Sequence, residues 1–196
     1  MVASSPDRRQ LRERLIAARE ALDPALRQRF DAAIAAHLER LLGTLLPSTL
    51  GFCWPFRGEP DLVQFLTDWR DANLARQIAL PYVDAPAQPL SFRVWTAGAS
   101  LVPDRYGIPS VPDGESVVPE VLLIPVNGFD MRGYRIGYGG GYFDRTLESM
   151  QPKPVTVGIG YELSRLPKIA DLGHDQPLDW IVTEAGIVLR PSHLDP

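Results

Sequence analysis

Two apolar runs constrain this chain more than anything else in it. "EVLLIPV" at 120–126 and "VTVGIGY" at 155–161 are almost free of polar side chains. A strand that is apolar at successive positions presents greasy side chains to both faces of its sheet, so it needs cover on both sides, as in a parallel sheet between helices. The segments around them supply that cover. Leu11, Leu15 and Ile16 fall at helical spacing, as do Phe30, Ile34, Leu38, Leu41 and Leu42 after a break at Asp23-Pro24, and Leu62, Phe65, Leu66 and Trp69 further on. "STLGFCWPF", "RQIALPYV" and "LSFRVW" read as further strands, "YFDRTLESM" as a helix, and "DWIVTEAGIVL" as one or two closing strands. Alternation of this kind predicts an α/β fold, a layered and mostly parallel sheet flanked by helices.

At 196 residues with 45% hydrophobic residues, the chain suits one α/β domain over 1–196, opened by a helical segment at about 6–46. The nineteen prolines and sixteen glycines cluster between the elements, notably in "VPDRYGIPSVPDG" at 102–114. A net charge of −4 argues against nucleic acid as a partner, though a local basic patch can still take a small polyanion. The single cysteine, Cys53, excludes an internal disulfide and fits a reducing compartment; it reads as a small buried hydrophobe. No run approaches a membrane span of about 20 residues, and the charged N-terminus does not look like a signal peptide. The expectation is a cytoplasmic protein with no membrane partner, and a monomer.

In open α/β sheets ligands bind beyond the C-terminal ends of the strands. That rule brings forward the loops after "GFCW", after "LLIPV" and after "VTVGIGY". The second contains "GYRIGYGGGYFDR" at 133–145, with five glycines in thirteen positions. Its main-chain N–H groups, ahead of a helix, can cradle phosphate oxygens; a structural hairpin or turn explains the glycines as well. Arg135 and Arg145 flank the loop as possible phosphate partners, and Asp144 is either a hard-oxygen ligand for Mg²⁺ or a helix cap. In "RRQLRERL", Arg12 shares a helical face with Arg8 and Arg9, which is either an anion site or a solvated face. Trp54 and Glu59 in "WPFRGEP" can stack a flat ring and bind its polar edge, or simply pack. His174, Asp175 and Asp179 precede the strand "WIVT", where Asp179 is either within reach of a metal or a turn residue. His37 and His193 belong to no motif and read as surface residues.

The stretch "LLIPVNGFDMRGYRIGYGGGYFDR" resembles the signature of the 5-formyltetrahydrofolate cyclo-ligase family, and "LPYV", "YGIPSVP" and "HDQPLDWIVTE" extend the likeness over most of the chain. The resemblance implies a fold like that of the phosphosugar isomerase and CoA-transferase group. It also implies ATP-dependent closure of 5-formyltetrahydrofolate to 5,10-methenyltetrahydrofolate, with ATP as co-substrate and Mg²⁺ as the ion. Carried over residue by residue, it assigns Arg8, Arg9 and Arg12 to ATP, together with Arg135, Ile136, Gly137, Tyr138, Gly139, Gly140, Gly141, Tyr142 and Phe143. Folate falls to Trp54, Glu59 and the segment from Tyr138 through Gly139, Gly140 and Gly141 to Tyr142. Asp144 and Asp179 become the metal positions, and Arg135 and Arg145 the catalytic cations. Three letters depart from the family pattern: Arg8 where lysine is common, Phe143 where a second tyrosine is usual, and Asn127 where an apolar residue is usual.

Overall fold

The computed structural model of the chain describes residues 5–96 and 98–189. Helix α1 covers Ser5–Glu20 and α2 covers Pro24–Leu45. The break between them is a built N-cap: the Asp23 carboxylate accepts from the main-chain N–H groups of Ala25 and Leu26, each at 3.0 Å, with Pro24 in the first turn. A cap of this kind is worth about 1 kcal/mol. The chain continues as β1 (Thr49–Phe52), α3 (Val63–Asp71), β2 (Gln77–Tyr82), β3 (Ser91–Trp95), β4 (Val102–Pro103), β5 (Pro109–Ser110) and β6 (Val121–Pro125). Then follow β7 (Gly128–Phe129), β8 (Arg135–Ile136), α4 (Tyr142–Ser149), β9 (Val155–Ile159), a 3₁₀ turn at Glu162–Ser164, β10 (Trp180–Thr183) and β11 (Gly186–Leu189).

Seven strands form the main sheet in the order β11-β10-β9-β6-β1-β2-β3. The five central strands run parallel, and the two edges, β3 and β11, are antiparallel hairpin partners of β2 and β10. The expected mostly parallel α/β sheet is therefore what the chain forms. Its apolar runs explain themselves at β6. Val121 and Leu123 join the cluster with Ile34, Leu38 and Leu66 of α2 and α3, whereas Leu122 and Ile124 join Phe129 and Leu147 on the opposite face.

Two small ladders form in stretches whose proline and glycine density predicts loops. Strands β4 and β5 close around residues 104–108, and β7 and β8 form a hairpin that carries Arg135 and Ile136. His37 is not a surface residue: it is half-buried, and its Nδ1 lies 3.0 Å from the Thr183 carbonyl oxygen, joining α2 to β10. His193 lies outside the described residues. Among the described residues no helix is long and apolar enough to cross a membrane.

Candidate functional site

A cavity of about 1280 Å³ opens beyond the C-terminal ends of β1, β2 and β6, where Cys53, Pro81 and Pro125 reach its wall. Pockets for one small ligand are roughly 300–1,000 Å³, so the space admits two. The three loops expected to meet there do so, those after β1 and β6 directly and the one after β9 through its far part, Leu172, His174 and Asp175. At the near end of that third loop Tyr161 is buried and donates to Asp31 Oδ1 at 2.6 Å. The β4–β5 segment, with Asp104, Tyr106 and Ile108, joins them in the wall. Cys53 faces the cavity rather than the core, and burial pushes its thiol above the ordinary range. That keeps it in its unreactive protonated form.

The end reached by the start of α1 is a lattice of arginines and carboxylates. Arg8 Nη2 donates to Asp175 Oδ2 at 2.7 Å and to the Ala170 carbonyl at 3.0 Å. Arg12 Nε donates to the Gly137 carbonyl at 2.6 Å. Burial, and after it the neighbouring Arg8 charge, presses the Arg12 guanidinium below its ordinary pKa. Arg9 stands at the rim, exposed and paired with Glu13 at 3.2 Å. Next to the Arg8–Asp175 pair, Arg135 Nη2 donates to Asp144 Oδ1 at 2.8 Å, and the N–H of Gln176, the residue after Asp175, donates to the same oxygen at 3.1 Å.

The glycine-rich loop lies between these groups. Gly139 has φ +93°, and a Cβ there would come within 2.9 Å of Arg12 Nη2. Its glycine serves both a left-handed backbone and the close seat of a guanidinium. Gly141, at φ +64°, caps α4. Tyr142 Oη lies 2.7 Å from Tyr106 Oη, tying the loop to the β4–β5 segment. Phe143 reaches the wall while packing on the apolar cluster around Leu147.

The other end is aromatic. Trp54 meets Trp95 edge to face with centroids 5.6 Å apart. Phe56 packs on Tyr138 at 6.0 Å. Glu59 is buried; its Oε1 accepts from Tyr138 Oη at 2.7 Å and its Oε2 from the Phe56 N–H at 3.0 Å. Burial raises the Glu59 pKa, against the opposing pull of the Tyr138 hydroxyl and the Arg19 charge. The Tyr138 phenol is in turn held above its ordinary range by burial and by the Glu59 charge. This end can hold a flat, polar-edged ring between aromatic faces and a carboxylate.

A model of the 5-formyltetrahydrofolate cyclo-ligase family matches residues 4–184. The chain belongs to this family. The cyclo-ligase of Escherichia coli strain K12 is 29% identical over 178 residues, covering 86% of this chain and 96% of the relative. That of Mycoplasma pneumoniae is 25% identical and covers 91% and 99%. The NMR structure of Aquifex aeolicus 5,10-methenyltetrahydrofolate synthetase superposes with a TM-score of 0.81 at 25% identity, covering 93% of this chain and 92% of its own. Membership makes the chain an enzyme of the ligase class.

Most of the residues that the cyclo-ligase resemblance assigns line the cavity, and two of them do not. Asp179 does not line the cavity. It sits before β10 at the N-terminal ends of the parallel strands, where its Oδ2 accepts from the Thr156 N–H at 2.9 Å and hydroxyl at 2.8 Å. Asp175, four residues earlier, does line the wall, as Asp144 does. Arg145 is likewise outside the wall. It is one residue, about 100° of helix, beyond Asp144, and it donates to the Gly140 carbonyl at 2.6 Å while its guanidinium covers the Tyr142 ring. It braces the loop from behind. Asn127 lies beneath the site, 1% exposed. Arg19, 4% exposed and 3.8 Å from Glu59, had no place in the sequence reading.

Proposed function

We propose that this cyclo-ligase family member converts 5-formyltetrahydrofolate to 5,10-methenyltetrahydrofolate, with ATP giving ADP and phosphate. The observation that carries the reading is one cavity whose wall holds an arginine–carboxylate lattice around a glycine-rich loop at one end and a carboxylate among aromatic rings at the other. The first suits a triphosphate and the second suits a pterin. Arg8, Arg12 and the main chain of 137–141 receive the phosphates. Trp54, Glu59, Tyr138 and Tyr142 hold the folate so that its formyl oxygen faces the terminal phosphate.

The chemistry asks mainly for alignment. The γ-phosphoryl passes to the formyl oxygen, the neighbouring amine attacks the activated carbon, and the C–O bond breaks as phosphate leaves with that oxygen. Holding the reacting atoms in line and meeting the developing charge with fixed donors is enough for phosphoryl transfer. Arg135 positions Asp144, and Arg12 fixes the loop carbonyl at Gly137, so both ends of the cradle are set before the substrates enter.

Magnesium fits the donor set. Among the described residues no cluster of three or more His, Cys, Asp or Glu side chains could hold a metal, so an all-protein cage is out of the question there. Two carboxylates in the wall, Asp144 and Asp175, match an ion bound through one or two carboxylates plus substrate phosphates. Bound there, it supplies charge neutralisation for the phosphates. The test is 5-formyltetrahydrofolate-dependent ADP release, with growth of methenyl absorbance in the near ultraviolet. A folded, magnesium-supplied sample that gives neither overturns the reading.

A further inference from the structure

The geometry points to Arg19 as a positioning residue that sets the folate end of the cavity by fixing Tyr138 and Glu59 against each other; the inference rests on the cyclo-ligase reading above. Arg19 makes three hydrogen bonds to three separate segments. Nε donates to the Arg57 carbonyl at 3.1 Å, Nη1 to Asn127 Oδ1 at 2.9 Å and Nη2 to Tyr138 Oη at 3.0 Å. A guanidinium only donates, so the Tyr138 oxygen must accept, and its single proton is left to point at Glu59 Oε1, 2.7 Å away. Arg19 thereby decides the direction of the bond that orients the Glu59 carboxylate.

Stability alone does not account for this arrangement. To present Oδ1 to Arg19, Asn127 leaves its Nδ2 buried without a hydrogen-bond partner, a costly state for an amide. A buried ion pair is also seldom better for stability than apolar groups of the same volume. What the pair and the amide provide is geometry. They hold the loop at 56–59, Asn127 between β6 and β7, and the glycine-rich loop around one planar fork that a lysine cannot reproduce.

The test is a set of kinetic measurements on wild type, Arg19→Lys, Arg19→Met and Tyr138→Phe. In Arg19→Met the KM for 5-formyltetrahydrofolate should rise about 10-fold, with the KM for ATP within about twofold of wild type. Arg19→Lys should restore part of the loss, because charge returns without the fork. If Arg19→Met fails to fold, the same split is read from Arg19→Lys. In a Tyr138→Phe background, Arg19→Met should cost clearly less than in wild type, since the two act through one hydroxyl. An unchanged folate KM, an equal rise in both KM values, or full additivity with Tyr138→Phe would overturn the role of Arg19 alone. A wild type that turns over no 5-formyltetrahydrofolate would instead overturn the reaction, and this role with it.

Discussion

At the N-terminal ends of the central strands, carboxylates are held by the backbone. Glu120 accepts from the Ser48 N–H at 2.6 Å and the Ser48 hydroxyl at 3.0 Å, and Asp179 treats Thr156 in the same way. Around the cavity at the C-terminal ends, Asp144 and Asp175 each accept one main-chain N–H, from Gln176 and Leu172, but are also paired with arginine side chains, Arg135 and Arg8. The two kinds of partner behave differently. A strand-start N–H cannot be given up without loosening the sheet, whereas a guanidinium can turn from a carboxylate to a phosphate and lose little. The same residue type is thus a staple at one edge of the sheet and an exchangeable contact at the other.

Four experiments can break or sharpen that contrast. The largest effect should come from Asp144→Asn, which should lower turnover by about 10²-fold or more while circular dichroism still reports a cooperatively folded protein. A variant with near wild-type turnover would remove Asp144 from the site. Asp179→Ala should do the reverse. Loss of its two bonds to Thr156 should cost about 1–2 kcal/mol of unfolding free energy, with kcat and both KM values unchanged below the transition. Altered kinetics in that variant would place Asp179 in the site after all.

Gly139→Ala should raise the KM for ATP by about 10-fold, because the new methyl group meets Arg12 in a left-handed backbone. An unchanged ATP KM would mean that the loop adapts. The smallest effect is one of pH. The Ser48 N–H and its neighbours hold Glu120 below the ordinary carboxylate range, so its contribution to stability is present above that range and is lost as pH falls through the lowered value. Burial holds Glu59 above the range, so the folded state takes up that proton first and gains as pH falls through the raised value. On acidification, the stability gap between wild type and Glu120→Gln should close, and wild type should gain on Glu59→Gln. Thermal unfolding across the acid range reads both, and parallel behaviour of the two variants would contradict the contrast.

The sheet was legible because its signal is local: a strand buried on both faces must be apolar at every step, as Val121 to Ile124 are. The site was legible in part. Asp175 and Asp179 sit four residues apart in the same polar segment, and nothing in their composition says that the chain between them crosses from one edge of the sheet to the other. The crossing is pinned by a long-range contact, the Leu178 N–H donating to the Gly133 carbonyl at 2.9 Å. Arg145 falls outside the wall because adjacency to Asp144 in sequence is divergence on a helix. Arg19 did leave a signal. It lies 11 residues after Arg8 and seven after Arg12, close to whole turns of an α-helix, so the three arginines share a face that a pairwise reading of "RRQLR" stopped short of extending.

That face has a consequence for how the molecule assembles. The helix bearing these arginines is the earliest described element to leave the ribosome, yet its bonds reach Gly137 and Asp175, the latter 167 positions downstream. Closing so long a loop gives nothing back until its far end exists. The element made first therefore gains its site contacts late, and a nascent chain can own most of its sheet while still lacking a site.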